Sequence, residues 1–384
     1  MSYFIDVAFE KVNKFSEELC GDKVEIVRAT DGVIVVLADG LGSGVKANIL
    51  ATITAKIAAT MLKEGADIIE TVDTIVNTLP VCKVRNIAYA TFTLMKIFYD
   101  GKVYMAEYDN PPVFIINNGN LNIDKREIVI ANKKVKESNF KLQEGDIITV
   151  VSDGAIHAGV GSLLNLGWQW ENINEFLNRR TPGLKCAKNI SKDLIEACND
   201  LYMGKPGDDT TVVAVKLREH EVINLFTGPP ADQKNDKWVV EQLMNSKGKK
   251  IVCGGTAANI VSRELRRELE VNMDFIDKEV PPTARMKGID LITEGVLTLN
   301  KAVEKLKNYS NYSLYDLNSE DGASILVRML TEDCTHLNLW VGKAINPAHQ
   351  NPYFPIDLSI KLKIVEELAE IMKKMGKEVK IINV

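Results

Sequence analysis

Apolar and polar positions along the chain follow two rhythms. Up to about residue 217, short apolar or alternating runs are separated by turn residues, with a few long helical stretches between them. VEIVRATDG and VIVVLADG flank Asp31-Gly32, a strong turn dipeptide, and predict a hairpin. A helix is predicted over roughly 45–64, where ANILATITAKIAATMLKEG is small and apolar throughout, and a second over about 66–79, stopped by Pro80. Strands follow in AYATFTLMKIFYDG, in KVYMAEYDNPPVFIINNG, near 127–131 and in DIITVVSDG. Helices near 171–179 and 184–201 precede a closing strand, TTVVAVKL, at 210–217. Strands joined by short turns, with helices in separate blocks, argue for antiparallel sheets flanked by helices.

From Val222 the rhythm changes to strict alternation. The runs VINLF, KKIVC, GIDLIT, HLNLWV and EVKIINV read as five strands. Helical patterns fall near 234–246 and in ANIVSRELRRELE, VLTLNKAVEKLKNY and DLSIKLKIVEELAEIMKKMG. Such alternation predicts a doubly wound, mainly parallel sheet. The polar segment LREHEV at 217–222 marks the boundary, giving domains at 1–218 and 222–384.

Composition narrows the class. The 384 residues suggest about two domains, and 46% hydrophobic with 26% charged residues is ordinary for a globular protein. A net charge of −5 gives no global basic footprint, so nucleic acid is not an expected partner. No uninterrupted apolar run reaches the ~18 residues that span a bilayer, and the N-terminus lacks a signal-peptide core. Six scattered cysteines without a CxxC pair read as reduced thiols. A cytoplasmic location away from membranes is the expectation, with the oligomeric state open and a dimer among the options.

The candidate chemistry lies in acids at strand ends. VVLADGLGSGVKANI carries Asp39 between a buried-type strand and a glycine turn. It is not a dinucleotide fingerprint, because the acid precedes the first glycine, and it lacks the Gly-Lys-Ser/Thr ending of a P-loop. Asp153 follows a strand in IITVVSDG; Asp208 and Asp209 precede one in GKPGDDTTVV; Asp22 precedes one in CGDKVEIV. Oxygen-only donors of this kind suit magnesium or manganese, whereas zinc prefers clustered histidine and cysteine. A glycine beside each acid would leave room for water and phosphate. Asp-Gly is also the commonest turn dipeptide, so pattern alone leaves turn and metal readings both open.

In that order, CGD, LADGLGSGVKAN, VVSDG and GDDTTVVAV resemble the sporulation stage II protein E branch of the metal-dependent, type 2C (PPM) serine/threonine phosphatases, over about residues 20–217. AEYDNPPVFIINNG resembles the family's Gly-His-Asn-Pro-Pro turn, but Glu107-Tyr108-Asp109 replaces its small residues and histidine. The resemblance implies an α+β four-layer αββα sandwich and a centre of two manganese or magnesium ions. Asp39 would bridge the ions, with the Gly40 carbonyl completing the shell. Asp22 would serve one ion, and Asp153 and Asp208 the other; Asp209, where the family often has Asn, ranks below Asp208. The implied activity is hydrolysis of phosphoserine or phosphothreonine on a protein in bacterial regulation, with Asp39, Asp153 and Asp208 as catalytic residues. A degenerate domain kept for binding, and a phosphatase of small metabolites, are the alternatives. His157 is a candidate acid for the leaving alkoxide or a solvated loop histidine; Lys46 and Arg85 are candidate phosphate contacts or surface cations.

The second half resembles no enzyme family. CGGTAANIV could present backbone N–H groups to a small anion at a helix N-terminus, or Gly254-Gly255 could be a tight turn with Thr256 as N-cap. Cys253, Cys334, His336 and His349 match no metal spacing, and Cys253 and His336 read as core. Arg285 and Lys287 lie in a polar loop, PPTARMKG, read as a ligand lid or plain surface. A regulatory domain that senses a small anionic ligand or docks a partner is the expectation.

Overall fold

The computed structural model describes residues 2–78, 81–82, 87–88, 90–117, 121, 123–130, 133–272, 280–309, 319–344 and 356–384. Arg85 and His349 lie outside the described residues. The chain divides into two compact units, Met1–Glu219 and His220–Val384.

The first unit runs β1 (Phe4–Val12), β2 (Asp22–Arg28), β3 (Gly32–Gly40), α1 (Gly44–Lys63), α2 (Ile68–Thr78), β4 (Val81–Cys82), β5 (Ile87–Ala88), β6 (Ala90–Phe98), β7 (Lys102–Tyr108) and β8 (Phe114–Ile116). It continues with β9 (Asp124–Ile130), β10 (Lys133–Lys141), β11 (Ile147–Val151), α3 (Asp153–Ile156), α4 (Trp170–Arg180), α5 (Ala187–Leu201) and β12 (Thr210–Arg218). One sheet has the order β1-β12-β11-β8 and another β2-β3-β6-β7-β10-β9. Their pairings are antiparallel. The Asp31-Gly32 turn joins β2 to β3, whose register pairs Arg28 with Val33 and Asp22 with Asp39.

Every residue of β3 from Val33 to Ala38 is buried, because the strand has apolar neighbours on both faces. Val33, Val35 and Leu37 share one core with Ile5, Ile148, Val213 and Val215, drawn from both sheets. Ile34, Val36 and Ala38 share another with Ala51, Ala55, Ala58 and Leu62 of α1. A third core joins Val212 and Ala214 of β12 to Ile190, Leu194 and Cys198 of α5. Helix α1 has the length and hydropathy of a membrane span, yet its alanine face is buried on β3.

Two strands escape the apolar pattern. β1 lies within MSYFIDVAFEKVNKF and pairs with β12 from Phe4–Arg218 to Val12–Thr210. β10, KKVKESNFK, is polar, and its place between β7 and β9 comes from backbone pairing. Glu137 on that strand is buried and accepts hydrogen bonds from Arg126 and Tyr104, which makes its burial tolerable.

The second unit contains β13 (Val222–Thr227), α6 (Asp236–Asn245), β14 (Lys249–Cys253), α7 (Gly255–Leu265), β15 (Glu270–Val271), β16 (Ala284–Met286), β17 (Ile289–Thr293), α8 (Val296–Lys307), α9 (Gly322–Glu332), β18 (His336–Val341), α10 (Ile356–Lys374) and β19 (Glu378–Asn383). Its sheet has the order β15-β16-β17-β14-β13-β18-β19. The run from β17 to β19 is parallel, while β15 and β16 pair antiparallel at one edge. Helices α8, α9 and α10 share one core, and α6 and α7 another. Helix α9 is an element the polarity pattern does not bring out; its N-cap is Asp321, which accepts from the Ala323 and Ser324 amides.

Cys20, Cys186, Cys198, Cys253 and Cys334 are buried and form no disulfide among the described residues. Cys253 accepts a hydrogen bond from the Thr293 hydroxyl, and burial pushes its thiol up to about 12. Helix α7 begins at Gly255, with Gly254 at the N-cap position, so Thr256 is inside the helix rather than capping it. His336 is part-buried, its ring tilted against that of His220 with centroids 4.8 Å apart, and 3.3 Å from Glu378. Arg285 lies on the short strand β16, and the following Lys287-Gly288 turn leads into β17.

Candidate metal centre

Asp39 ends β3 and Asp22 begins β2, and strand register places them opposite one another. The backbone around them is drawn tight. The Gly40 amide donates to the Gly21 carbonyl at 3.2 Å, and the Asn48 side chain of α1 donates to the Cys20 carbonyl at 2.8 Å. A Cβ on Gly40 would lie 2.1 Å from the Ala47 carbonyl oxygen, and one on Gly21 3.1 Å from the Ala47 Cβ. Gly154 has the same constraint, since its Cβ would lie 2.2 Å from the Asp209 carbonyl oxygen. Gly40 and Gly154 therefore let backbones approach closely, which for these two replaces the expectation that they clear space for a ligand; a Cβ on Gly207, beside Asp208, would meet only the Tyr202 ring at 3.4 Å. Gly42 differs: it has φ +104° and open space around its missing Cβ, as a turn residue does.

Asp153 opens the short helix α3 directly after β11, and Asp208 stands just before β12. Asp22 is buried, Asp39 and Asp208 are half-buried and Asp153 is exposed. The carboxylates perturb one another. Burial, and then the charges of Asp22, Asp153 and Asp208, push Asp39 up to about 9. The Asp153 carboxyl is likewise raised, by the partial loss of solvent around it although the residue as a whole is exposed, and then by the charge of Asp208. Burial raises Asp22 to about 6. The Ser152 and Thr211 hydroxyls face Asp22 and favour its ionised form, but neither of its oxygens reaches a partner in hydrogen-bond geometry.

Two buried, unpartnered carboxylate oxygens beside three more acids call for a positive charge. The donors are all oxygen, which fits magnesium or manganese. Among the described residues, no three His, Cys, Asp or Glu side chains are gathered closely enough to hold an ion as they stand. The fit is thus one of donor chemistry and unmet charge rather than of a closed coordination shell.

Asp209 has other work in this arrangement. Its two oxygens accept from the Lys14 amide at 3.0 Å and the Gly21 amide at 2.8 Å, so it fastens the segment before β2 to the start of β12. Lys14 also places its ammonium 3.7 Å from Asp208. His157 caps α3 close enough to Asp153 to act on its charge. Lys46 is on the exposed side of α1.

The AEYDNPP turn contributes a residue that the sequence did not single out. Asn110 donates to Thr93 Oγ1 at 2.8 Å and toward the Val151 carbonyl at 3.3 Å, while its own carbonyl oxygen is buried without a partner. It ties β6 to the end of β11, two residues before Asp153. Asp109 adopts φ +50° to make the turn. Glu107 accepts from the Val113 amide at 3.0 Å and pairs with Lys125 at 3.3 Å, which makes it a brace.

No curated protein matches the chain. Solved structures that it resembles include the PP2C phosphatase domain, with a fragment of the regulatory domain, of the cell fate determinant SpoIIE from Bacillus subtilis (22% identity, TM-score 0.48). That likeness covers 56% of this chain and 63% of the other, so the match spans less than two thirds of that protein. RsbX in complex with magnesium is similar at 18% identity and TM-score 0.40 over 56% of this chain and 95% of that one. The catalytic domain of the serine/threonine phosphatase PstP with two manganese ions is similar at 16% identity and TM-score 0.38 over 57% and 100%. The model of the Stage II sporulation protein E (SpoIIE) family matches residues 29–218. That stretch begins just ahead of the Asp31-Gly32 hairpin and ends with β12, and it holds Asp39, Asp153, Asp208 and Asp209: residues 29–218 of this chain are a SpoIIE-family domain.

Proposed function

We propose that the first unit is a metal-dependent serine/threonine phosphoprotein phosphatase acting in bacterial signalling. Its two sheets and outer helices are read as the αββα sandwich of the type 2C enzymes. The observation that carries the proposal is the crowding of Asp22, Asp39, Asp153 and Asp208, with Asp39 pushed up to about 9 and both Asp22 oxygens buried without partners. Asp39, the Gly40 carbonyl, Asp22, Asp153 and Asp208 would hold two manganese or magnesium ions. When bound, such ions supply a hydroxide near neutral pH and neutralise the phosphoryl oxygens.

The chain's own residues then have distinct tasks. Asp39, whose carboxyl is pushed up to about 9, must lose its proton before it can act as a full ligand. Asp22, buried at a strand start, would fix one side of the centre. Asp209 holds the loop before β2 in place through backbone amides, so we assign it positioning rather than ligation. His157, beside Asp153, is placed to deliver a proton to the departing serine or threonine oxygen. The second unit is read as a regulatory domain, with the α7 N-terminus as the place for a small anion.

Asp39→Asn keeps the size and removes the bridging charge. Manganese-stimulated hydrolysis of p-nitrophenyl phosphate is expected to fall at least roughly a hundredfold, with the circular dichroism spectrum unchanged. Wild-type turnover in that variant would end the assignment.

A further inference from the structure

The residues between α3 and α4 form an ordered loop with an unusual outward face. From Ala158 to Trp170 there is no charged side chain. Gly159, Gly161, Gly167 and Gln169 all have positive φ, so backbone conformation rather than a buried core fixes the path. Leu164 folds back on Gly159, and its amide donates to the Gly159 carbonyl at 2.9 Å. The Ser162 hydroxyl lies 2.9 Å from the Leu201 carbonyl. Val160, Leu163 and Leu166, by contrast, stand in solvent at 46%, 60% and 77% exposure. Backbone and hydroxyl groups of the loop are paired to each other and to Leu201, while three large apolar side chains face water.

Both ends of the loop return to the turn that carries Asp153. The Gln169 amide donates to the Ile156 carbonyl at 3.0 Å, and a Cβ on Gly167 would lie 2.8 Å from the His157 Cα. Beyond it, Trp170 stacks on Phe114 and donates to the Pro112 carbonyl at 2.8 Å, which fastens it to the Asn110 turn. Exposed apolar side chains on a loop whose ends are tied beside Asp153 point to a contact surface.

We propose that Val160, Leu163 and Leu166 form a docking surface for uncharged, apolar residues flanking the phosphorylated serine or threonine of a protein substrate. The proposal rests on the phosphatase reading for the identity of the site, and it adds the substrate class. The lack of charge on the loop argues for an apolar flank rather than an acidic or basic one, and its anchorage beside Asp153 argues for the substrate itself rather than a remote partner.

The test uses the full chain with manganese and three probes: p-nitrophenyl phosphate, a phosphoserine peptide with leucine and valine flanks, and the same peptide with serine and asparagine flanks. Wild type should prefer the apolar peptide by roughly tenfold in kcat/KM, the scale of one partly buried leucine contact. Leu163→Ser with Leu166→Ser should remove that preference through KM, leaving p-nitrophenyl phosphate turnover and Tm unchanged. Equal wild-type rates on both peptides, or a preference kept by the double variant, overturns the proposal. So does a double variant that instead converts a dimer to a monomer in sedimentation, because the loop then serves a second copy. Failure to turn over p-nitrophenyl phosphate overturns the phosphatase reading alone; anisotropy binding of the two labelled peptides, which needs no turnover, still decides the docking surface by the same tenfold difference.

Discussion

At the scale of single residues, the site is governed by unmet negative charge. Asp39 takes its high affinity for a proton from burial and three neighbouring acids. A cation entering such a site competes with the proton that Asp39 holds. Manganese affinity is therefore expected to tighten as pH rises from 6 to 8, with proton release visible as a dependence of calorimetric enthalpy on the buffer's ionisation heat. An affinity independent of pH across that range would contradict the raised Asp39 carboxyl. Asp209 shows the opposite economy: its oxygens already accept two backbone amides, a role that its lower rank beside Asp208 in the sequence reading did not foretell.

At the scale of elements, glycine and alanine set the distances. The carbonyl of Ala47 in α1 sits where a side chain on Gly40 would be, so the helix can approach the end of β3 only because that position is glycine. Gly40→Ala is expected to cost roughly 2–3 kcal/mol in urea denaturation, through overpacking against backbone that has no rotamer to yield. An unchanged midpoint would show that α1 can shift. In the second unit, α9 depends on its cap. Burial by itself would raise the Asp321 carboxyl, but hydrogen bonds from Ser324 and Ser319 and the nearby Lys305 ammonium pull it down to about 2. Asp321→Ala should lower stability by about 1–2 kcal/mol at neutral pH. Because the folded value lies below the ordinary 3.8, that contribution is present above pH 4 and fades as pH falls toward 2. Wild type and variant should therefore converge in thermal unfolding under acid.

At the scale of the molecule, each unit owns its cores, and the described residues of the acid cluster all belong to the first. A fragment of residues 1–219 is expected to fold and to retain manganese-dependent hydrolysis of p-nitrophenyl phosphate. If the second unit is regulatory, kcat/KM of the fragment and of the full chain should differ by at least about threefold; identical values would remove that role.

Much of this was legible in the sequence because local chemistry writes it there. The continuous apolar run of VIVVLADG, the Asp31-Gly32 turn and the small-residue face of α1 each specify an element without reference to distant residues. The order of the acids marked a SpoIIE-like domain for the same reason: strand ends and glycine turns occupy adjacent positions in the chain. What depends on partners far along the chain was hidden. β1 and the polar β10 are strands by virtue of the backbones they pair with, and α9, though capped locally by Asp321, packs into a core supplied from elsewhere. Only the tertiary structure brought Asp22 opposite Asp39, gave Asp209 its backbone partners and turned Gly40 from a presumed clearing into a contact. It also showed which leucines after Asp153 face water. Periodicity records which residues prefer burial, but burial, repulsion and hydrogen bonding are set by neighbours that the fold alone selects.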